Sequence, residues 1–468
     1  MTRVRSGLLS ALGVLAGLPG VASAHEISGR FDAPIPLSLL FGGAAVTVGV
    51  TALLLASTTE RPTSASEEWP VVEIPPNVVA GLRIAGRGGF FFAFLLAVVV
   101  GFVGRQVPAE NVATVFVWAV WLKGVAVVAA LVGNPWRVLS PWRAVYDALC
   151  WLERDRIALL GDLPQWVGVW PALAGYLLWI GVLENFTTVP RSPQQTALFV
   201  LGYATVTLVG GVLYGPDWFR RGDCLAVLYR LFGRVAPIRF DRTPAGGTLL
   251  TVRAPWRDCT APTSPSVGAF VVATVYTVSF DGFTSTPEYQ SLLFGLRDAV
   301  GASAAVEILL YLGGFVGFLL VFGVVMWATE VVAGVSRGTW RGATMAFAPT
   351  AFAPTLLPIA VAYEIAHNYP FVVENLGQFV AVLWALVTGG HPPSVELLGW
   401  LSLGAYWWSQ VLLVVGGHVV AVVAAHAVAM ERYSTVAAAR RGHAPLVVLM
   451  IGYTVLSLWI ISRPIVAG

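Results

Sequence analysis

The sequence predicts an all-α fold, a polytopic transmembrane bundle of about ten helices, on three observations. Of the 468 residues, 57% are hydrophobic and only 11% charged, where a soluble domain carries about 25% charged residues. Mean hydropathy is +0.76. Apolar runs of about the 20 residues needed to cross a bilayer recur along the whole chain, and the loops between them alternate between arginine-rich and arginine-poor.

Residues 1–24 read as a secretory signal, with Arg3 and Arg5 as the basic region, Leu8 to Leu18 as the apolar region and Ala22-Ser23-Ala24 as the cleavage site. Cleavage there makes His25 the mature N-terminus; an uncleaved signal anchor is the alternative. Residues 25–468 then form one integral membrane domain with helices near 35–57, 88–104, 112–133, 167–187, 196–215, 265–281, 302–333, 345–368, 402–428 and 444–462. Residues 58–76 are polar and proline-rich, the pattern of a flexible loop.

With His25 outside, the loops expected to be cytoplasmic hold Arg83 and Arg87; Arg137, Arg143, Arg154 and Arg156; eight arginines from Arg220 to Arg257; Arg337 and Arg341; and Arg432, Arg440 and Arg441. The opposite loops hold only Arg30, Arg105, Arg191, Arg297 and Arg463. This order places the chain in the cell (cytoplasmic) membrane, multi-pass, with the bilayer as its partner and no nucleic acid. Oligomeric state is not encoded in these features.

Two arginine-rich segments resemble each other: "GNPWRVLSPWRAVYDAL" after the third helix and "GPDWFRRGDCLAVLYRL" after the fifth. Each joins a Gly/Pro/Trp break to a basic amphipathic stretch suited to the membrane surface. The second begins a cytoplasmic basic loop, 216–264. Within it "PIRF" and "TLLTVRAPW" flank the turn "TPAGG", the pattern of a small β-hairpin. Cys150, Cys224 and Cys259 lack any CxxC spacing and read as reduced structural thiols.

Ionisable side chains at membrane depth are the functional candidates, because burying them is costly. Lys123 is the only lysine in the chain and sits mid-helix. It calls for an acidic partner, Glu184 or Glu307. "AYEIAHNYPFVVENLGQ" carries Tyr363, Glu364, His367, Glu374 and Gln378; the first three share a helix face. Pro349, Pro354 and Pro358 upstream predict a broken entry to that helix. In "GHVVAVVAAHAVAMERY", His418 falls near the midplane and His426 near the arginine-rich interface, with Gly416, Gly417, Ala421, Ala424 and Ala425 allowing a neighbouring helix to approach.

Imidazole and carboxylate together suit Zn, Fe or Mn, and an N-terminal histidine can chelate Cu. The candidate ligands for such a divalent metal are His367, His418, Asp281 and His25, with Glu364, Glu307 and Lys123 as candidate catalytic groups. His367 and His418 are expected to converge as the core of that site. A bound metal would make hydroxide available for hydrolysis. There is no P-loop, dinucleotide fingerprint, HExxH or Gly-x-Ser-x-Gly.

"SAHEISGRFDAPIPLSLL", "NPWR", "LFGRVAP", "SFDGF", "PTLLPIAVAYEIAHNY" and "GHVVAVVAAHAVA" resemble, in order, the polytopic membrane proteins known as fenitrothion hydrolases in actinobacteria and other prokaryotes. The resemblance covers most of the chain after residue 24. It implies hydrolysis of an organophosphate triester and carries over to His25, Asp281, His367, Gln378, His418 and His426. Two readings therefore stand side by side: a metal-dependent membrane hydrolase of a small-molecule substrate, and a transporter of a metal ion or small solute with a midplane polar site. A haem or redox subunit with histidine ligands is a third.

Overall fold

A computed structural model describes residues 36–57, 68–244, 246–301, 304–334 and 348–463. The signal segment, His25, Arg30, Arg337 and Arg341 lie outside the described residues.

The elements run in chain order. Helix α1 (Leu37–Ser57) is followed by β1 (Trp69–Ile74), α2 (Pro76–Val103) and α3 (Val112–Val132). Two short helices, α4 (Trp136–Leu139) and α5 (Pro141–Glu153), lead to α6 (Gln165–Glu184) and α7 (Pro193–Tyr214). Then come α8 (Pro216–Arg221), α9 (Cys224–Phe232), β2 (Ile238–Arg242) and β3 (Thr248–Val252). The second half holds α10 (Pro265–Thr284), α11 (Pro287–Val300), α12 (Ala304–Val332), α13 (Ala348–Phe352), α14 (Leu357–Thr388), α15 (Leu403–Arg432) and α16 (Val436–Ile461).

Ten helices among the described residues are long and apolar enough to cross a membrane. Their burial covers a wide range. α3 and α10 are 72% buried over their most apolar stretch, whereas α1 and α2 are 22% buried and α12 is 17%. Leu39, Leu53, Leu320, Val324 and Trp327 are more than half exposed. A soluble protein does not leave so large a continuous apolar surface bare, so the outer helices face lipid and the chain is a multi-pass membrane protein.

Where the structure departs from the sequence reading, the causes are local. Residues 69–74 are not loop: β1 pairs antiparallel with β3, which pairs antiparallel with β2, giving the sheet order β1-β3-β2. "WPVVEI" had been hidden by the polar residues before it. The expected hairpin is present as β2 and β3. α2 begins at Pro76 rather than near residue 88, because its first three turns, with Arg83 and Arg87, extend beyond the apolar band; Arg87 meets Asp147 at 3.0 Å.

The proline-broken entry is present: α13 ends at Phe352, one tight turn spans Ala353–Leu356, and regular helix resumes at Leu357. α14 then runs to Thr388, twenty residues past the expected end, straight through Pro370. Proline at that position has no N–H to give to the carbonyl of Ala366. The Gln410 amide, from α15, donates to that carbonyl instead, so the neighbouring helix supplies what the proline withholds. α15 packs closely here because Gly417 has no side chain: a Cβ there would lie 2.8 Å from the Pro358 carbonyl and clash with Ala362. Ala421, Ala424 and Ala425 are fully buried, as expected, whereas Gly416 faces open space.

Candidate functional site

Four helices bring their ionisable residues to one place. Lys123 lies in α3 within Val115–Gly124, which is wound as π-helix, and Glu184 ends a second π-helical stretch, Leu177–Glu184, in α6. π-Winding is rare, shifts the side chains that follow around the helix, and recurs at functional sites. Tyr229 of α9 donates to the Trp121 carbonyl at 2.9 Å and lies 3.2 Å from that of Leu122, tying down the turn that carries the lysine.

Lys123 Nζ lies 3.0 Å from Glu184 Oε1 and 3.9 Å from Glu364 Oε1 of α14. All three side chains are about nine-tenths buried. Asp281, near the end of α10, lines the same small cavity, and its Oδ2 lies 2.9 Å from His367 Nε2. Tyr176, Asn185 and Thr277 complete the polar wall; Thr277 Oγ1 is 2.8 Å from the Tyr311 hydroxyl. The cavity is about 20 Å³, room for one water. Glu184 Oε2 and the Tyr363 hydroxyl are buried and have no hydrogen-bond partner among the described residues.

The site thus joins residues that the sequence had set apart. Lys123 has its carboxylate in Glu184, one of the two expected partners. Glu307 is the correction: it lies 2.5 Å from Arg297, because α11 ends just before α12 begins and brings that arginine to its first turn. Glu364 and His367 do share a face of α14, but each turns to a different partner. His367 sits ten residues into regular helix, about 15 Å from its start at Leu357.

His418 is not among the residues that line this cavity. Its Nδ1 lies 2.8 Å from the Val414 carbonyl. A carbonyl only accepts, so Nδ1 carries a proton, and in the neutral ring Nε2 holds the lone pair. That Nε2 has no partner among the described residues, and the ring packs on Tyr453. His426 faces His443 of α16 with ring centroids 5.6 Å apart. Of the expected metal core, His367 pairs with Asp281, while His418 meets the Val414 carbonyl and the Tyr453 ring. Among the described residues no group of three or more His, Cys, Asp or Glu is placed to hold a metal ion. His25 is outside the described residues. Gln378 serves the fold beyond the bundle, donating to the Ala109 carbonyl at 2.8 Å, and Glu374 accepts from the Leu397 and Leu398 amides at 3.1 and 2.7 Å.

Sequence reasoning missed Thr277, Tyr311 and Tyr229, ordinary polar residues in apolar helices whose only signal is that a buried hydroxyl needs a partner. It also missed the π-winding, for which no local sequence signal exists. Comparisons with family models, curated proteins and solved structures return no match to this chain, so its chemistry rests on the geometry.

Proposed function

We propose that this chain is a transporter of the cell (cytoplasmic) membrane that moves a proton, alone or with a small solute, through the Lys123–Glu184–Glu364–Asp281–His367 cluster. One observation carries the reading: five ionisable side chains, three of them carboxylates, gather at one place inside the bundle. Three carboxylates face one lysine and one histidine. Even with His367 protonated, the fully ionised set carries one surplus negative charge, and with His367 neutral it carries two. Holding like charges this close together at depth is costly. The cluster is therefore relieved by binding one more proton or small cation, shared among coupled sites. A water-sized cavity at its centre supports transfer of such a particle, and the unpartnered Glu184 oxygen is a ready acceptor.

The hydrolase reading rests on the sequence resemblance. A triester needs a pocket of some 300 Å³ or more beside the reacting groups, far larger than the cavity at the cluster. Reconstitution into vesicles loaded with a pH-sensitive dye tests the transporter. Under an imposed potential, the wild-type chain should acidify or alkalinise the lumen faster than empty vesicles. Lys123→Met and Glu184→Gln should abolish this, while Glu307→Gln, outside the cluster, should not. Proton movement no faster than in empty vesicles would sink the proposal. Turnover of a phosphotriester in detergent, lost in Lys123→Met, would put the hydrolase in its place.

A further inference from the structure

The two similar arginine-rich segments fold as two elbows. Gly133, at φ +86°, turns the chain out of α3 into α4 and α5; Gly215, at φ +66°, turns it out of α7 into α8 and α9. The elbows are bolted together: Trp136 of the first, almost fully buried, donates its Nε1–H to Asp223 Oδ2 of the second at 3.3 Å. Between them lies a cleft of about 430 Å³ at the arginine-rich end of the bundle, lined by Arg137, Arg143, Arg220 and Arg230 together with Asn134 and Ser140.

Topology alone asks only for arginines in exposed loops. Arg143 and Arg230 are instead half-buried in the wall of the cleft. Arg230 gives one N–H to the Arg220 carbonyl, and Arg220 pairs with Asp217. The guanidinium groups of Arg137 and Arg143 have no acidic partner among the described residues. Asp223 lines the cleft, but its oxygens are taken by Trp136, the Tyr203 hydroxyl and the Leu225 and Ala226 amides. It caps α9 rather than neutralising the arginines. Burial, followed by the like charges of Arg220 and Arg234, holds the Arg230 guanidinium below its ordinary value. On the flank, α5 exposes Trp151 and Leu152 by 80% and 70%, as a helix does when it lies in the headgroup layer.

From the cleft between the elbows we infer a binding site for a phosphate group, either on an anionic lipid headgroup or free in solution. Planar guanidinium forks match phosphate oxygens two by two, and a basic pocket between helices at the membrane surface is where an anionic headgroup is held. The site lies at the arginine-rich end and shares no lining residue with the charged cluster.

Native mass spectrometry of the full-length chain, with phosphatidylglycerol or phosphatidylcholine added in equal amounts, tests it. The wild type should retain phosphatidylglycerol. Arg143→Gln with Arg230→Gln should weaken retention about tenfold or more, the loss of two charge-assisted contacts, while Arg242→Gln on β2 should change nothing. Should the double variant fail to fold, Arg137→Gln, whose side chain is exposed, should still weaken retention several-fold. Binding of inorganic phosphate by calorimetry, with no preference between the lipids and loss in the same variants, assigns the site to a soluble phosphate. Equal retention of both lipids with no phosphate binding, or full retention in the variants, overturns the inference.

Discussion

Lys123 and Glu184 illustrate how a buried ion pair constrains a membrane bundle. Removing one partner leaves the other uncompensated at depth, which costs about 3–5 kcal/mol. Lys123→Met strips Glu184 and Glu364 of their shared cation and should destabilise by that order, whereas Glu184→Leu leaves Lys123 with Glu364 at 3.9 Å and should cost less. The double variant should recover part of the loss, since two apolar side chains replace two charges; denaturant unfolding in detergent measures the difference. Equal stability of the single variants and wild type would contradict the pairing. The thiols give an independent residue-scale check. Burial pushes Cys224 and Cys259 up to about 12, so neither forms thiolate at about pH 8. Cys150 is only half-buried. A maleimide should therefore label Cys150 first, and the other two only on unfolding, as peptide mass spectrometry of labelled protein would show. The lysine was conspicuous in the sequence as the only one. Its partner was narrowed to two by the rule that a buried charge needs its opposite, and only the packing of α11 on α12 decided between them.

At the scale of the element, α14 was half legible. Pro349, Pro354 and Pro358 announced the break before Leu357, because a proline without its N–H cannot continue a ladder. By the same logic Pro370 should break the helix again, yet the helix continues through it. Gln410 sits forty-four positions away in sequence from the carbonyl it serves, and no local pattern reveals such a donor. The pair makes a testable cycle. Gln410→Leu should destabilise the bundle by about 1–3 kcal/mol by orphaning the Ala366 carbonyl. Pro370→Ala restores the backbone donor, so in that background Gln410→Leu should cost much less. Equal cost in both backgrounds would separate the amide from the proline. Because Ala366 adjoins His367, the single Gln410→Leu variant should also slow any proton movement that depends on the His367–Asp281 pair.

Over the whole molecule, the hydropathy pattern and the arginine alternation located the ten long apolar helices of the described residues, because the bilayer imposes length and composition on each crossing independently of its neighbours. What the bilayer does not impose was not readable: the third strand of the small sheet, the extension of α2 and α14 beyond the apolar band, and which of the six histidines meet. His367, His418 and His426 all lie in apolar helices, yet they face an aspartate, a tyrosine ring and another histidine respectively. Helix phase and neighbour order decide that, and π-winding in α3 and α6 alters phase without warning. The sidedness itself can be checked. In a Cys150→Ser background, Gly390→Cys after α14 and Arg242→Cys on β2 should react with a membrane-impermeant maleimide from opposite sides. Labelling of both in intact cells would refute the arrangement.

A chain with a single lysine also carries a built-in gauge. Apart from the α-amino group, an amine-directed reagent has one target in this protein, and that target is 7% exposed and held by a carboxylate. The intact bundle should remain almost unmodified by such reagents. Any conformation that opens the centre to water would be recorded as a covalent mark on one known peptide, and the leaflet from which an impermeant reagent reaches it would tell on which side the opening occurs.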